Sequence, residues 1–480
     1  MRKTFLLLYL KKSKKLTSPT SIINFALEQH KGRTFLIEAE RNIGIKYEDL
    51  EIKIAQTIET FAEIGLQQGD VLAFNAPNCP EYFELRAACH FTGILFMGLP
   101  GGLNTEDLTY FLTKAGAKAI YDADGLRPIS KTPYRSAPKD MSPVSTLNLS
   151  SGTTRKLPKV VQLTDENWTE SLYNYVRNSN ILPDKHIIFL CTLPFATAGS
   201  TTFLPSLLAG ITYVVVKENI QPADLVRYIK RYSVNRLYIT PSCLIELLTW
   251  CQENNERLSM LKNILTGTEP FPKTRLYEAI QFFGPIIYVG YGMVEVLPPI
   301  SILGPRDYEK LGSVGKVLKG VQIKFYENGK IALKSKTVSP GYFDTPSLNA
   351  DHFKDGWFYT NDYGHLDHGY LYVRGREEDI VVREPRLVFA REIEEKIYGL
   401  VFVKHCAVLP GNGRPAHIFV SLKKEIGEEE AREKIIEMVV KWQDGPLWGQ
   451  PTPQIIIKQN MPINSVGKLD RKKLREEAYI

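Results

Sequence analysis

Cysteine is scarce: six thiols in 480 residues, at 79, 89, 191, 243, 251 and 406, with no CxxC pair among them. That excludes a disulfide framework and a thiolate-held metal centre, and leaves reduced, mostly buried thiols of an intracellular protein. Long apolar runs are missing as well; none approaches the roughly 18–20 residues that cross a bilayer. Charge of one sign is nearly absent once its position is considered. The formal net charge is +7, but Arg2, Lys3, Lys11, Lys12, Lys14 and Lys15 supply six positives before residue 16 with no acid among them, leaving about +1 elsewhere. So local a patch gives no support to a nucleic-acid partner. Its apolar string, residues 5–10, is too short for a secretory signal, and no small-residue cleavage site follows. The arm reads as a solvated terminus, or as an amphipathic arm that touches a membrane weakly without stable insertion, and the protein as cytoplasmic. Internal repeats and low-complexity tracts are lacking too.

What the chain does have is the balance of a soluble globular protein. Apolar types make up 44% and charged types 24%, which excludes a disordered or collagen-like chain. The length suits two or three domains. From residue 45 to 122 helical and extended patterns alternate. Leu50, Ile54, Ile58, Phe61 and Ala62 form one helical stripe closed by Gly65 and Gly69, and the apolar run Val71–Phe74 reads as a buried strand. Pro80 opens a second helix ended by Gly93, residues 94–99 form a strand, and Asn104 can cap a third helix before residues 119–121. The rhythm resumes at 187–193, 211–216, 236–239 and 286–290, which predicts a parallel sheet with helical faces. Residues 312–376 differ: short alternating runs at 323–326, 330–334 and 370–373, broken by Gly, Pro, Asn and Asp, predict antiparallel hairpins. The charge-rich tail from about 377 has helices (391–398, 428–442) and strands (406–409, 417–422) of its own.

The segment Asn148-Leu-Ser-Ser-Gly-Thr-Thr-Arg-Lys-Leu-Pro-Lys159 gathers hydroxyls, backbone N–H groups and a lysine, a composition able to cradle a polyphosphate. It is not a Walker loop, and alone it reads equally as a Ser/Thr-rich surface loop. Four later segments bear on that choice: Tyr291-Gly-Met-Val-Glu295, Tyr359-Thr-Asn-Asp362, Gly375-Arg-Glu-Glu-Asp379 and Asn464-Ser-Val-Gly-Lys-Leu-Asp-Arg471. With Gly65-Leu-Gln-Gln-Gly-Asp-Val and Pro77-Asn-Cys-Pro-Glu81 before them, they resemble in order and separation the core motifs of the acyl-adenylate-forming (ANL) superfamily. That superfamily comprises acyl-CoA synthetases, adenylation domains and beetle luciferases. The resemblance runs from about residue 45 to the C-terminus and marks a divergent, compact member.

The resemblance implies an α/β fold: a large N-terminal AMP-binding domain over 1–377, built of two parallel-sheet subdomains and a β-barrel-like subdomain at about 312–376, then a small mobile α/β domain over 378–480. It implies ATP and Mg²⁺, and a reaction in two halves. A carboxylic acid becomes an acyl-adenylate; a thiol, from CoA or a carrier-protein phosphopantetheine arm, then displaces AMP. Lys468 would be the catalytic lysine, meeting negative charge as it gathers on the α-phosphate. Glu295 would hold Mg²⁺. Asp362 and Arg376 would bind the ribose, and Tyr291 with Gly290 and Gly292 the adenine, opposite Gly267, Thr268 and Glu269. Ser150, Ser151, Gly152, Thr153, Thr154 and Lys159 would hold the departing pyrophosphate. Glu378 falls at the hinge, and Phe195, Ala196 and Thr197 in the acid-binding segment Leu193-Pro-Phe-Ala-Thr-Ala-Gly199.

Several positions depart from that pattern. Arg155 stands where a glycine is usual, Val294 replaces the threonine of YGxTE, and Asn361 the glycine of TGD. Pro385 falls on a glycine along which the pantetheine arm passes, and proline lacks both φ freedom and an N–H. That departure opens one alternative, transfer of the acyl group to an acceptor other than CoA; the several departures together open another, a degenerate member that binds nucleotide or acyl ligand without turnover. Ala196 occupies the place where amino-acid-activating relatives carry an aspartate for the α-ammonium. An unpaired ammonium there would be costly to bury, so the expected substrate is an apolar or aryl acid. The stretch from 125 to 146 is shortened relative to the family. The pair His365/His368 beside Asp367 offers no third metal ligand.

Overall fold

The computed structural model describes residues 16–101, 103–129, 143–150, 158–178, 186–384, 386–411, 413–423, 426–441, 446–447 and 449–478. The alternation read from residue 45 onward is present, and local chemistry sets its boundaries. The helix Tyr47–Glu63 buries Leu50, Ile54 and Phe61, and the Asp49 carboxylate accepts the Lys46 N–H at 2.9 Å at its first turn. The helix Glu81–Thr92 ends at Gly93, whose φ of 70° a side chain would resist. Asn104 caps Thr105–Ala115 by accepting from the Asp107 N–H at 2.8 Å.

These helices alternate with strands of a first sheet. Its order is Gly341–Tyr342, Val160–Thr164, Val144–Leu149, Leu95–Gly98, Val71–Phe74, Ala117–Asp122, Gly125–Pro128. The pairs from Val144–Leu149 to Ala117–Asp122 are parallel and the flanking pairs antiparallel. Val71–Phe74 and Leu95–Gly98 are buried at every position, which is why they read as unbroken apolar runs.

A second sheet carries the parallel series Thr34–Glu38, Thr212–Val215, Ile188–Cys191, Arg236–Tyr238, Asn263–Gly267, Ile287–Met293. Its first strand lies outside the stretch where the sequence pattern starts. Thr34–Glu38, behind the helix Pro19–Gln29, crosses to pair with Thr212–Val215, a partner that local periodicity cannot supply. Beyond Ile287–Met293 the sheet turns antiparallel through Val296–Leu303, Lys316–Val317, Tyr370–Arg376, Trp357–Asp367, Lys330–Lys334 and Gln322–Tyr326. The hairpins expected over 312–376 are thus there, hydrogen-bonded in line with the second sheet.

After Glu377 the chain builds a separate core. Val403–Leu409, His417–Leu422 and Gln454–Lys458 form a sheet, whose Val408, Ile418 and Val420 pack with Ile393, Ile397 and Ile435. The tail docks on the large part through polar contacts. The buried Arg275 guanidinium donates to the Val403 carbonyl and pairs with Glu278. Glu246 takes His405 at 2.7 Å and Lys404 at 2.8 Å, both tail residues. Burial pushes the Glu246 carboxyl up, yet those two partners outweigh it and hold it at about 2. The Lys273 N–H reaches Glu395 at 2.9 Å.

Truncating Leu237, fully buried in the central strand Arg236–Tyr238, should cost about 2–5 kcal/mol in urea unfolding. Ile52→Ala, at a side chain 57% exposed, should stay within about 0.5 kcal/mol.

Candidate active site

The site forms where parallel strands of the second sheet end and its antiparallel part begins. Gly267 and Gly290 are register partners, and a Cβ on Gly267 would stand 2.5 Å from the Gly290 carbonyl oxygen. Only glycine lets the strands approach so closely there. Gly292 is confined in the same way by Pro298. Thr268 follows at φ 77°, turning Glu269 back toward the tail.

Tyr291, at the end of its strand, donates to Asp362 Oδ2 at 2.6 Å, while Arg376 Nε donates to Oδ1 at 3.0 Å. Asp362 and Arg376 face one another across an antiparallel pair, so the hairpin itself sets their contact. Asp362 is buried. Its carboxylate raises the Arg376 guanidinium, and burial together with the same carboxylate pushes the Tyr291 phenol well above its ordinary value.

Of the loop expected to hold phosphate, both ends are described: the Ser150 N–H donates to the Lys159 carbonyl at 2.9 Å, and the Lys159 N–H to Ser150 Oγ at 3.1 Å. Ser151, Gly152, Thr153 and Thr154 lie outside the described residues, with Arg155, Lys156 and Pro385. Lys159 Nζ reaches the Tyr342 hydroxyl at 3.4 Å, and that hydroxyl donates to Glu295 Oε1 at 3.1 Å. Tyr342 therefore joins the loop lysine to the carboxylate expected to hold metal. Sequence reading missed it; the only signal was an aromatic after Gly341, which by itself says nothing. Burial, then Glu295, pushes the Tyr342 phenol upward.

Lys468 arrives from the tail on a tight turn. Asn464 Oδ1 accepts the N–H groups of Val466 and Lys468, both at 3.1 Å, and the Asn464 N–H donates to the Lys468 carbonyl at 2.8 Å. The turn seats on the start of the helix Pro241–Glu253, where the Thr240 hydroxyl and the Cys243 thiol both donate to the Gly467 carbonyl. Burial lowers the Lys468 amine to about 8, opposed by Glu269 and assisted by Arg376. Lysine, guanidinium and the Glu269 carboxylate thus share one space with Tyr291 and Asp362.

The segment expected to bind the acid is held elsewhere in the large part. The Phe195 ring packs against Tyr82, Phe83 and Tyr213 at 5.3–5.4 Å between centroids. Ala196 abuts the backbone of Gly98, and the Thr197 hydroxyl is buried without a hydrogen-bond partner. Asn78, within the early Pro-Asn-Cys-Pro segment, fixes this loop by accepting from the Phe195 N–H at 2.7 Å and donating to the Leu193 carbonyl at 3.0 Å. Glu378 sits in a short turn, 4.0 Å from Arg376 at the join to the tail. His365 stacks on Tyr372, and His368 pairs with Asp367 at 2.6 Å.

Among the described residues there is no group of three or more His, Cys, Asp or Glu able to hold a metal ion. Glu295 alone still suits Mg²⁺, which keeps several waters and binds through one or two carboxylates plus phosphate oxygens.

The sequence model described as AMP-binding enzyme matches residues 24–133 and 121–343. The chain is 27% identical over 448 residues to a 2-succinylbenzoate–CoA ligase of Listeria monocytogenes, covering 88% of this chain and 93% of that protein. It is 25% identical over 397 residues to a feruloyl-CoA synthase of Amycolatopsis, covering 76% and 80%. Among solved structures, the O-succinylbenzoate coenzyme A synthetase of Bacillus subtilis in complex with ATP and a magnesium ion superposes with a TM-score of 0.75. The identity is 25%, over 94% of this chain and 99% of that one.

The depressed Lys468 amine is directly measurable. Competitive acylation followed by peptide mass spectrometry should place its titration midpoint near pH 8, against the ordinary lysine value of 10.5. A midpoint at the ordinary value would mean the tail turn is not docked in solution.

Proposed function

The chain belongs to the AMP-binding enzyme family, and on that premise we propose that it activates an apolar or aryl carboxylic acid with ATP as an acyl-adenylate, then passes the acyl group to a thiol. CoA is the acceptor put first, ahead of a carrier-protein phosphopantetheine arm, because relatives named as CoA ligases align along most of the chain. The single observation that carries the reading is the meeting of Lys468 with Glu269 and Arg376 beside the Tyr291–Asp362 pair.

In the first half-reaction a carboxylate oxygen of the acid forms a bond to the α-phosphorus. The bond from that phosphorus to the bridging oxygen breaks, pyrophosphate leaves with the electron pair, and no proton moves. The chain's part is charge placement. Below about pH 8 Lys468 is an ammonium, which lies between carboxylate and α-phosphate as negative charge concentrates there. Asp362 and Arg376 take the ribose hydroxyls as acceptor and donor, Tyr291 with Gly290 and Gly292 faces the adenine, and Gly267, Thr268 and Glu269 form the opposite wall. Ser150 to Thr154 and Lys159 receive the pyrophosphate. Glu295 holds Mg²⁺, which when bound neutralises phosphate oxygens. In the second half-reaction the thiol sulfur bonds to the acyl carbon, the bond to AMP breaks, and the thiol proton is released. We assign residues 1–377 to the large domain and 378–480 to the tail, which turns at Glu378 between the halves.

The substrate class follows from Ala196 and its surroundings. Phe195, Ala196 and Thr197 offer no anion to an α-ammonium, and the relatives' printed names are those of aryl acids. We place the enzyme in the cytoplasm, where ATP and CoA are supplied.

Pyrophosphate release tested over aryl, acyl and amino acids, with and without CoA, decides the reading. Aryl or apolar acids should release pyrophosphate, a thioester should form only with CoA present, and Lys468→Ala should lower adenylation by about 10²-fold or more. Turnover indifferent to Lys468→Ala, or confined to amino acids, would overturn it. Adenylation without thioester would assign the acyl group to another acceptor, as Pro385 suggests.

A further inference from the structure

The strand Asn263–Gly267 delivers a carboxylate whose placement exceeds what a nucleotide wall requires. Glu269 Oε1 accepts the Ser242 N–H at 2.8 Å, at the first turn of the helix Pro241–Glu253. Ser242 lies between Thr240 and Cys243, the two residues that hold the Gly467 carbonyl of the tail turn, and the Glu269 charge acts on the Lys468 amine. Glu269 therefore ties its own loop to the helix start that seats the tail turn, and its charge reaches the lysine carried on that turn.

Consecutive tail residues are thus each gripped by the large part. The Gly467 carbonyl accepts from Thr240 and Cys243, and the next residue, Lys468, lies in the field of the Glu269 carboxylate. The fit leaves no room for adjustment at Gly467. Its φ is 80°, and a Cβ there would lie 3.2 Å from Thr240 Oγ1 and 3.3 Å from Cys243 Sγ. Arg376, a like charge, acts on the same amine in this poorly hydrated space. Were Glu269 neutral, the lysine would face burial and repulsion together, and two escapes would open: swinging into solvent or shedding its proton.

We propose that Glu269 is the positioning residue of the adenylation step: it docks the tail turn onto the large domain and offsets Arg376 so that the Lys468 ammonium stands in place before substrate arrives. This rests on the ligase reading above. It assigns Glu269 a task distinct from lining the adenine, and one confined to the first half-reaction, since the docked turn leaves when the tail rotates. A plainer role exists: a carboxylate near a helix start can act only as a cap, worth about 1 kcal/mol of stability. A cap would change unfolding and leave the titration of Lys468 where it is.

Glu269→Gln keeps an accepting oxygen and removes the charge; Glu269→Asp keeps the charge on a shorter arm. In ATP–pyrophosphate exchange with an accepted acid, Glu269→Gln should lose about 10- to 100-fold, and its alkaline limb should move to lower pH. Glu269→Asp should recover part of the rate and most of the limb. Acyl transfer to CoA from supplied acyl-adenylate should fall far less than exchange does. Competitive labelling should show the Lys468 midpoint in Glu269→Gln below the wild-type value of about 8. An unchanged midpoint and limb, or equal loss in both half-reactions, would overturn the proposal. If the wild type exchanges pyrophosphate with no acid, the ligase reading fails, while labelling still judges the Glu269–Lys468 contact.

Discussion

Everything at this site turns on one buried carboxylate. Asp362 is withdrawn from water, and a carboxylate so placed is tolerable only when its oxygens are satisfied. Tyr291 takes one and Arg376 the other, and each comes from a different strand of the same continuous sheet. That requirement ties the end of the parallel series to the antiparallel hairpin Trp357–Asp367/Tyr370–Arg376. Once they are tied, Glu295 lies in the turn beyond Met293, and the short segment Glu377–Asp379 must leave toward the tail from this point. Removing either partner would strand charge inside the protein and loosen the junction on which the tail is mounted.

The tail's approach is governed by a different balance. Its own core is closed on itself, so docking does not have to complete it. The contacts instead join opposite charges or charge to carbonyl: Glu246 with Lys404 and His405, Glu278 with Lys423, Arg275 with Val403. The partly exposed pairs among them contribute modestly, about 1 kcal/mol or less each, and water can replace them, whereas Arg275 and His405 are buried. The turn carrying Lys468 is held more tightly, because the Gly467 carbonyl accepts from both Thr240 and Cys243 of the large part.

Much of this was readable from composition and spacing. Val71–Phe74 and Lys330–Lys334 have the bounds read from their residue patterns, and the Asn104 cap and the turn at Gly93 follow from the chemistry of those residues. The motif residues Asp362, Arg376 and Lys468 converge although more than a hundred positions separate the first from the last. What escaped was non-local. Thr34–Glu38 looks like any short strand, and nothing near it announces a partner at Thr212–Val215. Tyr342 acquires meaning only when Gly341–Tyr342 is laid along Val160–Thr164, bringing its hydroxyl between Lys159 and Glu295. Glu269 was legible as a loop residue and illegible as a contact to the tail, since the two ends meet only after both domains have formed.

The polar character of the junction has a further bearing. Among the described residues the apolar cluster shared by the large part and the tail is small, comprising Tyr363, Ile380 and Phe389 with Leu387 at the connection itself. Elsewhere, among the described residues, the contacts between the two are polar ones such as Glu246 with Lys404 and His405 and Glu278 with Lys423. A chain that repeatedly uncovers a greasy face invites self-association each time it opens. In the proposed cycle the tail would swing without presenting an adhesive surface to its neighbours, so the frequency of the motion would be uncoupled from the hazard of aggregation.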